Sequence, residues 1–236
     1  MAFTKLEMQE QLALFIQGYA ASVDRMLSTD LAEMMESPDG PKTTLLWSVS
    51  SKMYDYGISG IPLAGLGAGE VVDAEHADVE LFLTNIELLE NYLEEDSVIL
   101  PWRAKRAVQT AIARHVLEGG ERYLCGEGDQ EGYLSLVEVA LLADMDERSV
   151  RNAASNKADD SLRTEKINKR TMVSVEEARR WLPGRNGFIP TKRSAAVMPS
   201  MCVLSLPVET AVLLEQKALK AGLSVADYLE RQLALE

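Results

Sequence analysis

Along the first 130 positions, apolar residues recur with the spacing of helices. Met8, Leu12, Phe15, Tyr19, Val23 and Met26 follow at intervals of four and three, drawing one apolar stripe down a long helix. Thr44 to Tyr56 is a second helical segment. Val79, Leu83, Ile86, Leu89 and Leu93 make a third stripe. A fourth helix is predicted from near Pro101 to Glu118, with Val108, Ala111, Ile112, His115 and Val116 inward and Gly119-Gly120 stopping it. Between the second and third helices, Gly57 to Gly69 is rich in glycine and reads as a mobile connecting loop. Its GLGAG piece lacks the preceding strand and full spacing of a dinucleotide-binding loop, which leaves a phosphate or effector site as the minor alternative.

The pattern changes after Cys125-Gly-Glu-Gly-Asp-Gln-Glu-Gly132, a polar, glycine-rich linker that marks a first domain boundary. Ser135 and Glu138 have capping-box spacing, so a helix is predicted to begin at Leu136. Asp144-Met145-Asp146 interrupts it, and Asp146 is a good N-cap for a second helix from Glu147 to about Ser155. Ser161 to Val173 is short, basic and tolerant of strand, as a hairpin would be. Ser174 with Glu177 repeats the capping-box spacing before a helix that buries Val175, Ala178, Trp181 and Leu182 and ends at Pro183-Gly184.

Charge sharpens this division. The total is −13, yet its distribution is uneven. Residues 1–130 carry 9 Lys and Arg against 22 Asp and Glu, a balance of −13, whereas residues 148–193 carry 12 against 5, a balance of +7. A basic stretch inside an acidic chain is the electrostatic footprint of a phosphate-binding surface. The competing reading is a solvated basic face.

Helix, turn, helix, hairpin and a helix ending in Trp-Leu resembles the winged helix-turn-helix modules of the MerR and excisionase groups, over about 50 residues. Ala140 matches the small residue where the two helices cross, with Val139, Ala143, Met145, Val150 and Ala153 as apolar contacts. Asp144 departs from the family, which has a left-handed glycine there; aspartate tolerates that backbone better than most residues. The resemblance implies that the second helix enters a major groove. Its readers would be Arg148, Ser149, Arg151 and Asn152, with Asn156 and Lys157 at its exit. Arg163, Lys166, Lys169 and Arg170 of the wing, with Arg185, Lys192 and Arg193 flanking it, would meet phosphates. An exposed helix pair in an all-α core is the bland alternative.

Met201 to Leu206 is strand-like, Pro207 suits a first helical position, and Gly222 and Ser224 separate two further helices. Strand, helix, helix resembles the ribbon-helix-helix family, which implies an intertwined dimer. An ordinary tail packed on the same chain is the other reading.

The expected architecture is mainly α in three parts: an acidic helical domain (1–125) for self-association or for holding a partner or effector, a winged helix-turn-helix DNA-binding domain (133–193) and a ribbon-helix-helix-like dimerisation segment (200–236). A fragment from about Gly126 onward is expected to bind DNA alone. The expected function is sequence-specific transcriptional regulation on a palindromic duplex by a homodimer or higher homo-oligomer. The alternatives are a plasmid or phage accessory factor (partition or recombination directionality), or an antitoxin-type protein whose acidic domain holds a protein partner. No cofactor or metal is expected, and no catalysis. His76 lies in an acidic helix, His115 reads as a satisfied core histidine, and no nucleophile elbow, HExxH, P-loop or zinc-ligand spacing occurs. Asp144, Asp146 and Glu147 read as helix capping rather than as metal ligands. Cys125 and Cys202 have no ligand spacing and no membrane span is visible, so a cytoplasmic, nucleoid-associated protein is expected.

Overall fold

The computed structural model describes residues 3–67, 72–89, 99–122, 131–155 and 161–192, together with Lys217. The chain divides into two compact units, Met1–Arg193 and Ser194–Glu236. Apart from Lys217, the second unit lies outside the described residues. The strand and helices expected after Met201 therefore fall outside them, as do Asn156, Lys157 and Arg193. Among the described residues the chain is mainly helical, with eight α-helices and one three-stranded antiparallel sheet. None of these helices is long and apolar enough to cross a membrane.

Helix α1 (Lys5–Leu27) opens with a full capping box, Thr4 and Glu7 each accepting the other's amide N–H. Met8, Leu12 and Phe15 of its stripe are fully buried, whereas Met26 at its end is exposed. Ser28, in the left-handed conformation, closes the helix, and α2 (Leu31–Glu36) folds back on it. Helix α3 (Leu45–Gly57) is capped by Thr44 and α4 (Ala74–Thr84) by Asp73. The third apolar stripe does not run as one helix. Asn85 ends α4 by donating both its backbone N–H and its Nδ2 to the Leu81 carbonyl. Ile86–Leu89 then forms a 3-10 turn that leaves Leu88 exposed, and Leu93 is outside the described residues.

Helix α5 (Trp102–Leu117) crosses α3 closely because Gly57 has no Cβ. One built there would stand 2.6 Å from the Ala111 nitrogen and 2.9 Å from the Ala107 carbonyl. Around this crossing lies a first core of Met8, Leu12, Phe15, Val49, Met53, Tyr56 and Val108. Over its described part the glycine-rich loop after α3 is tied to the helical body. Leu66 and Val72 are buried, and the Gly67 N–H donates to His115 Nδ1 at 2.9 Å. His115 Nε2 lies 2.9 Å from the Glu121 carbonyl, so a fully buried imidazole has partners for both nitrogens.

The second core is built from β1 (Tyr133–Ser135), α6 (Leu136–Leu142), α7 (Glu147–Ser155), β2 (Glu165–Ile167), β3 (Arg170–Ser174) and α8 (Val175–Trp181). Strand β3 is central, with Leu134 of β1 opposite Val173 and Lys166 of β2 opposite Thr171. The two residues joining β2 to β3, Asn168 and Lys169, both have positive φ (48° and 68°), as a tight hairpin turn with right-handed twist requires. Ser174 caps α8, but Glu177 does not return the bond. Its carboxylate accepts from the Arg163 N–H and from Arg180 instead. Leu182–Gly184 forms a 3-10 turn, and residues 185–192 lead back to the helical body.

Helix α5 belongs to both cores. Its Ala104, Ala107, Val108, Ala111 and Ile112 pack in the first, and its Ala113, Val116 and Leu117 in the second. A fragment beginning near Gly126 would therefore lack three residues of the core on which α6 and α7 rest.

Candidate nucleic-acid interface

Local capping sets the α6–α7 pair. Ser135 and Glu138 form a reciprocal box that fixes the start of α6. Asp146 caps α7: the Ser149 N–H donates to its Oδ1 at 2.9 Å and the Ser149 hydroxyl to its Oδ2 at 2.6 Å. These bonds, the hydroxyl's foremost, hold the Asp146 carboxyl below its usual pKa. Between the helices Asp144 adopts φ 47°, a left-handed conformation that aspartate tolerates better than most residues. Arg106 of α5 takes its carboxylate at 2.8 Å, which ties the turn to the helical body. Val139, Ala140, Ala143 and Val150 are buried at the crossing, with Met145 and Ala153 packed against them.

That packing turns the polar side of α7 outward. Arg148, Arg151 and Asn152 are exposed on it. Arg151 is paired with Glu147 one turn earlier, its Nε 2.9 Å from the carboxylate. Ser149 belongs to the cap rather than to the open face. Beside α7 stands the β2–β3 hairpin, with Lys166, Lys169 and Arg170 exposed. Lys166 Nζ donates to the Thr171 hydroxyl at 2.8 Å, which holds its stem along the strand pair. An open groove of about 520 Å³ separates the two elements. Arg151, Ala154 and Ser155 line it from α7, and Thr164, Arg170 and Thr171 from the hairpin side. Arg163, exposed just before β2, donates its backbone N–H to Glu177. Glu177 lies below its usual pKa, chiefly through its hydrogen bonds with Arg180.

The remaining basic positions are placed elsewhere. The Arg185 guanidinium lies over the Trp181 ring at 4.1 Å, a packing role. Lys192 is on the returning segment, where its backbone N–H donates to the Gly60 carbonyl at 2.7 Å. The structure thus brings together Arg148, Arg151, Asn152, Lys166, Lys169 and Arg170 on two adjacent elements, and sets Arg185 and Lys192 on the connection to the helical body.

Sequence reasoning missed what braces this surface. Arg179 donates to the Leu117 carbonyl at 2.8 Å. Gly187 presses on the α6–α7 turn so closely that a Cβ there would lie 2.3 Å from the Ala143 carbonyl. Arg114, 2% exposed, donates to the carbonyls of Gly57 and Ile189 and to the Thr191 hydroxyl. Glu118 accepts from Tyr56 at 2.8 Å and also from Thr191. Burial lowers the Arg114 pKa and raises that of Tyr56. The visible signal was an arginine set inside an apolar stripe, where a charge must find partners.

No known protein family, curated protein or solved structure matches this chain.

Proposed function

We propose that the protein is a sequence-specific transcriptional regulator that binds duplex DNA, with α7 in the major groove and the β2–β3 hairpin along the flanking backbone. The observation that carries this reading is the left-handed Asp144 turn, which sets an exposed polar helix face beside a basic hairpin. Arg148, Arg151 and Asn152 have the donor geometry to read guanine and adenine edges, and Lys166, Lys169 and Arg170 have the charge to hold phosphates. The acidic balance of residues 1–130 suits a body that stays away from DNA, because repulsion acts within about 8 Å at physiological salt. The test is fluorescence anisotropy on duplexes selected from a random library, against scrambled duplexes. If roughly six phosphates are neutralised, log affinity falls with log salt at a slope near −5 between about 50 and 200 mM. A flat response, or no selected sequence, would sink the proposal.

A further inference from the structure

The corner between α1 and α2 presents apolar side chains to solvent. Leu27 is 68% exposed, Met34 64%, Met26 60% and Leu31 36%. Such a cluster on a folded surface marks an interaction site. The corner is built, not frayed. The Asp24 carboxylate accepts the Leu31 and Ala32 N–H groups at 2.8 and 2.6 Å and also the Thr29 hydroxyl. Gln17 donates to the Met35 carbonyl, and Met35 itself is buried beneath.

Around this patch stand Asp30, Glu33 and Glu36, all exposed and without an ion pair among the described residues. Arg25 is the nearby cation, and it donates to Ser22. We propose that this corner docks a basic amphipathic helix of another protein. The partner's apolar face would cover Met26, Leu27, Leu31 and Met34, and its Lys or Arg side chains would reach Asp30, Glu33 and Glu36. Methionine is unbranched and polarisable, so Met26 and Met34 adapt their shape to the helix they receive. Charge selects this occupant. A second copy would bring the same three acids face to face, and an anionic membrane surface would be repelled by them. The corner packs on the first core, apart from the residues assigned to DNA, so its test is read without DNA.

The experiment titrates the full chain with a labelled synthetic helix of leucine and lysine, and with its leucine and glutamate counterpart. The lysine peptide binds and the glutamate peptide does not. The triple variant Met26→Ser, Leu27→Ser, Met34→Ser keeps the net charge and weakens the lysine peptide at least about tenfold, which corresponds to about 1.4 kcal/mol. Leu81→Ser, at an exposed leucine of α4 on the same acidic body, leaves binding unchanged. An undiminished affinity of the triple variant would reduce the effect to unspecific charge attraction, and equal loss in both variants would show that the corner is not the site; either result overturns the proposal. Absence of binding to the native chain would overturn it too, whether or not the chain's own segment occupies the corner. Sedimentation supplies the last arm: a dimer that the triple variant abolishes would assign the corner to a second copy instead.

Discussion

Replacing Arg114 by methionine tests whether the returning segment 185–192 is clasped to the helical body. The methionine stem fills much of the arginine's space, so the loss is electrostatic rather than a cavity. The substitution strips donors from the Gly57 carbonyl, reached at 3.0 and 3.2 Å, from the Ile189 carbonyl at 2.7 Å and from the Thr191 hydroxyl at 2.9 Å. A buried acceptor left unsatisfied costs about 1–3 kcal/mol. Glu118, half-buried and joined to Arg114 through the Thr191 hydroxyl, also loses a nearby cation, and three acceptors are left short of donors at once. These contributions overlap, so the expected loss in unfolding free energy is about 3–5 kcal/mol rather than their sum. Urea unfolding followed by circular dichroism and tryptophan emission measures it, with an unchanged m-value showing that the native state remains compact. Thr191→Val, which removes one hydroxyl link, should cost only about 0.5–1.5 kcal/mol. An Arg114→Met loss below about 1 kcal/mol would refute the clasp.

Gly187→Ala should destabilise by about 1–3 kcal/mol, because its Cβ would meet the Ala143 carbonyl and the Asp144 Cβ at 2.3 and 2.8 Å. Calorimetry reads the loss, and an unaffected midpoint would show that the segment does not lie on the turn. Arg151→Ala or Asn152→Ala should lose roughly 1–3 kcal/mol of discrimination between selected and random DNA. Lys169→Ala or Arg170→Ala should weaken both and reduce the salt slope by about one, so identical behaviour of the two pairs would misplace the recognition helix. Asp146 and Glu177 have folded pKa values below their unfolded ones. Their stabilisation is complete above the ordinary carboxylate range near pH 4 and is lost as pH falls through the lower folded values. The melting temperature should therefore drop on acidification in that window, and the double variant Asp146→Asn, Glu177→Gln should show a shallower drop than the native chain.

What was legible in the sequence is what local chemistry decides. The Ser135–Glu138 box and the Asp146 cap each follow from a few neighbouring residues, and the structure shows both. The left-handed Asp144 was legible only through the resemblance, and His115 was legible as a core residue, although its Gly67 partner lies 48 residues away. The α1 stripe was legible as far as its packing partners extend, which is why Met26 breaks it. The missed features depend on chain that is distant in sequence. The Glu177 carboxylate takes the Arg163 N–H only because the segment before β2 comes beside α8. Gly187 is a small residue whose need for smallness appears only when Ala143 lies against it. Arg185 carries the same charge as the hairpin lysines in a one-dimensional count, yet its guanidinium stacks on Trp181, a contact that only the folded chain reveals.

Helix α5 contributes side chains to both cores, so neither core keeps its full packing when that helix is lost. Their stabilities are thereby one thermodynamic quantity rather than two. Whatever binds the folded chain at one core raises the free energy needed to open the other, by RT times the logarithm of one plus the ratio of free ligand to its Kd. Slowly exchanging amides should therefore concentrate on α5, and their protection should rise together when either surface is occupied. The reciprocity required of linked equilibria would then give this protein a built-in reporter: an occupant of one face is detectable as slower opening beneath the other, with no change of shape between them.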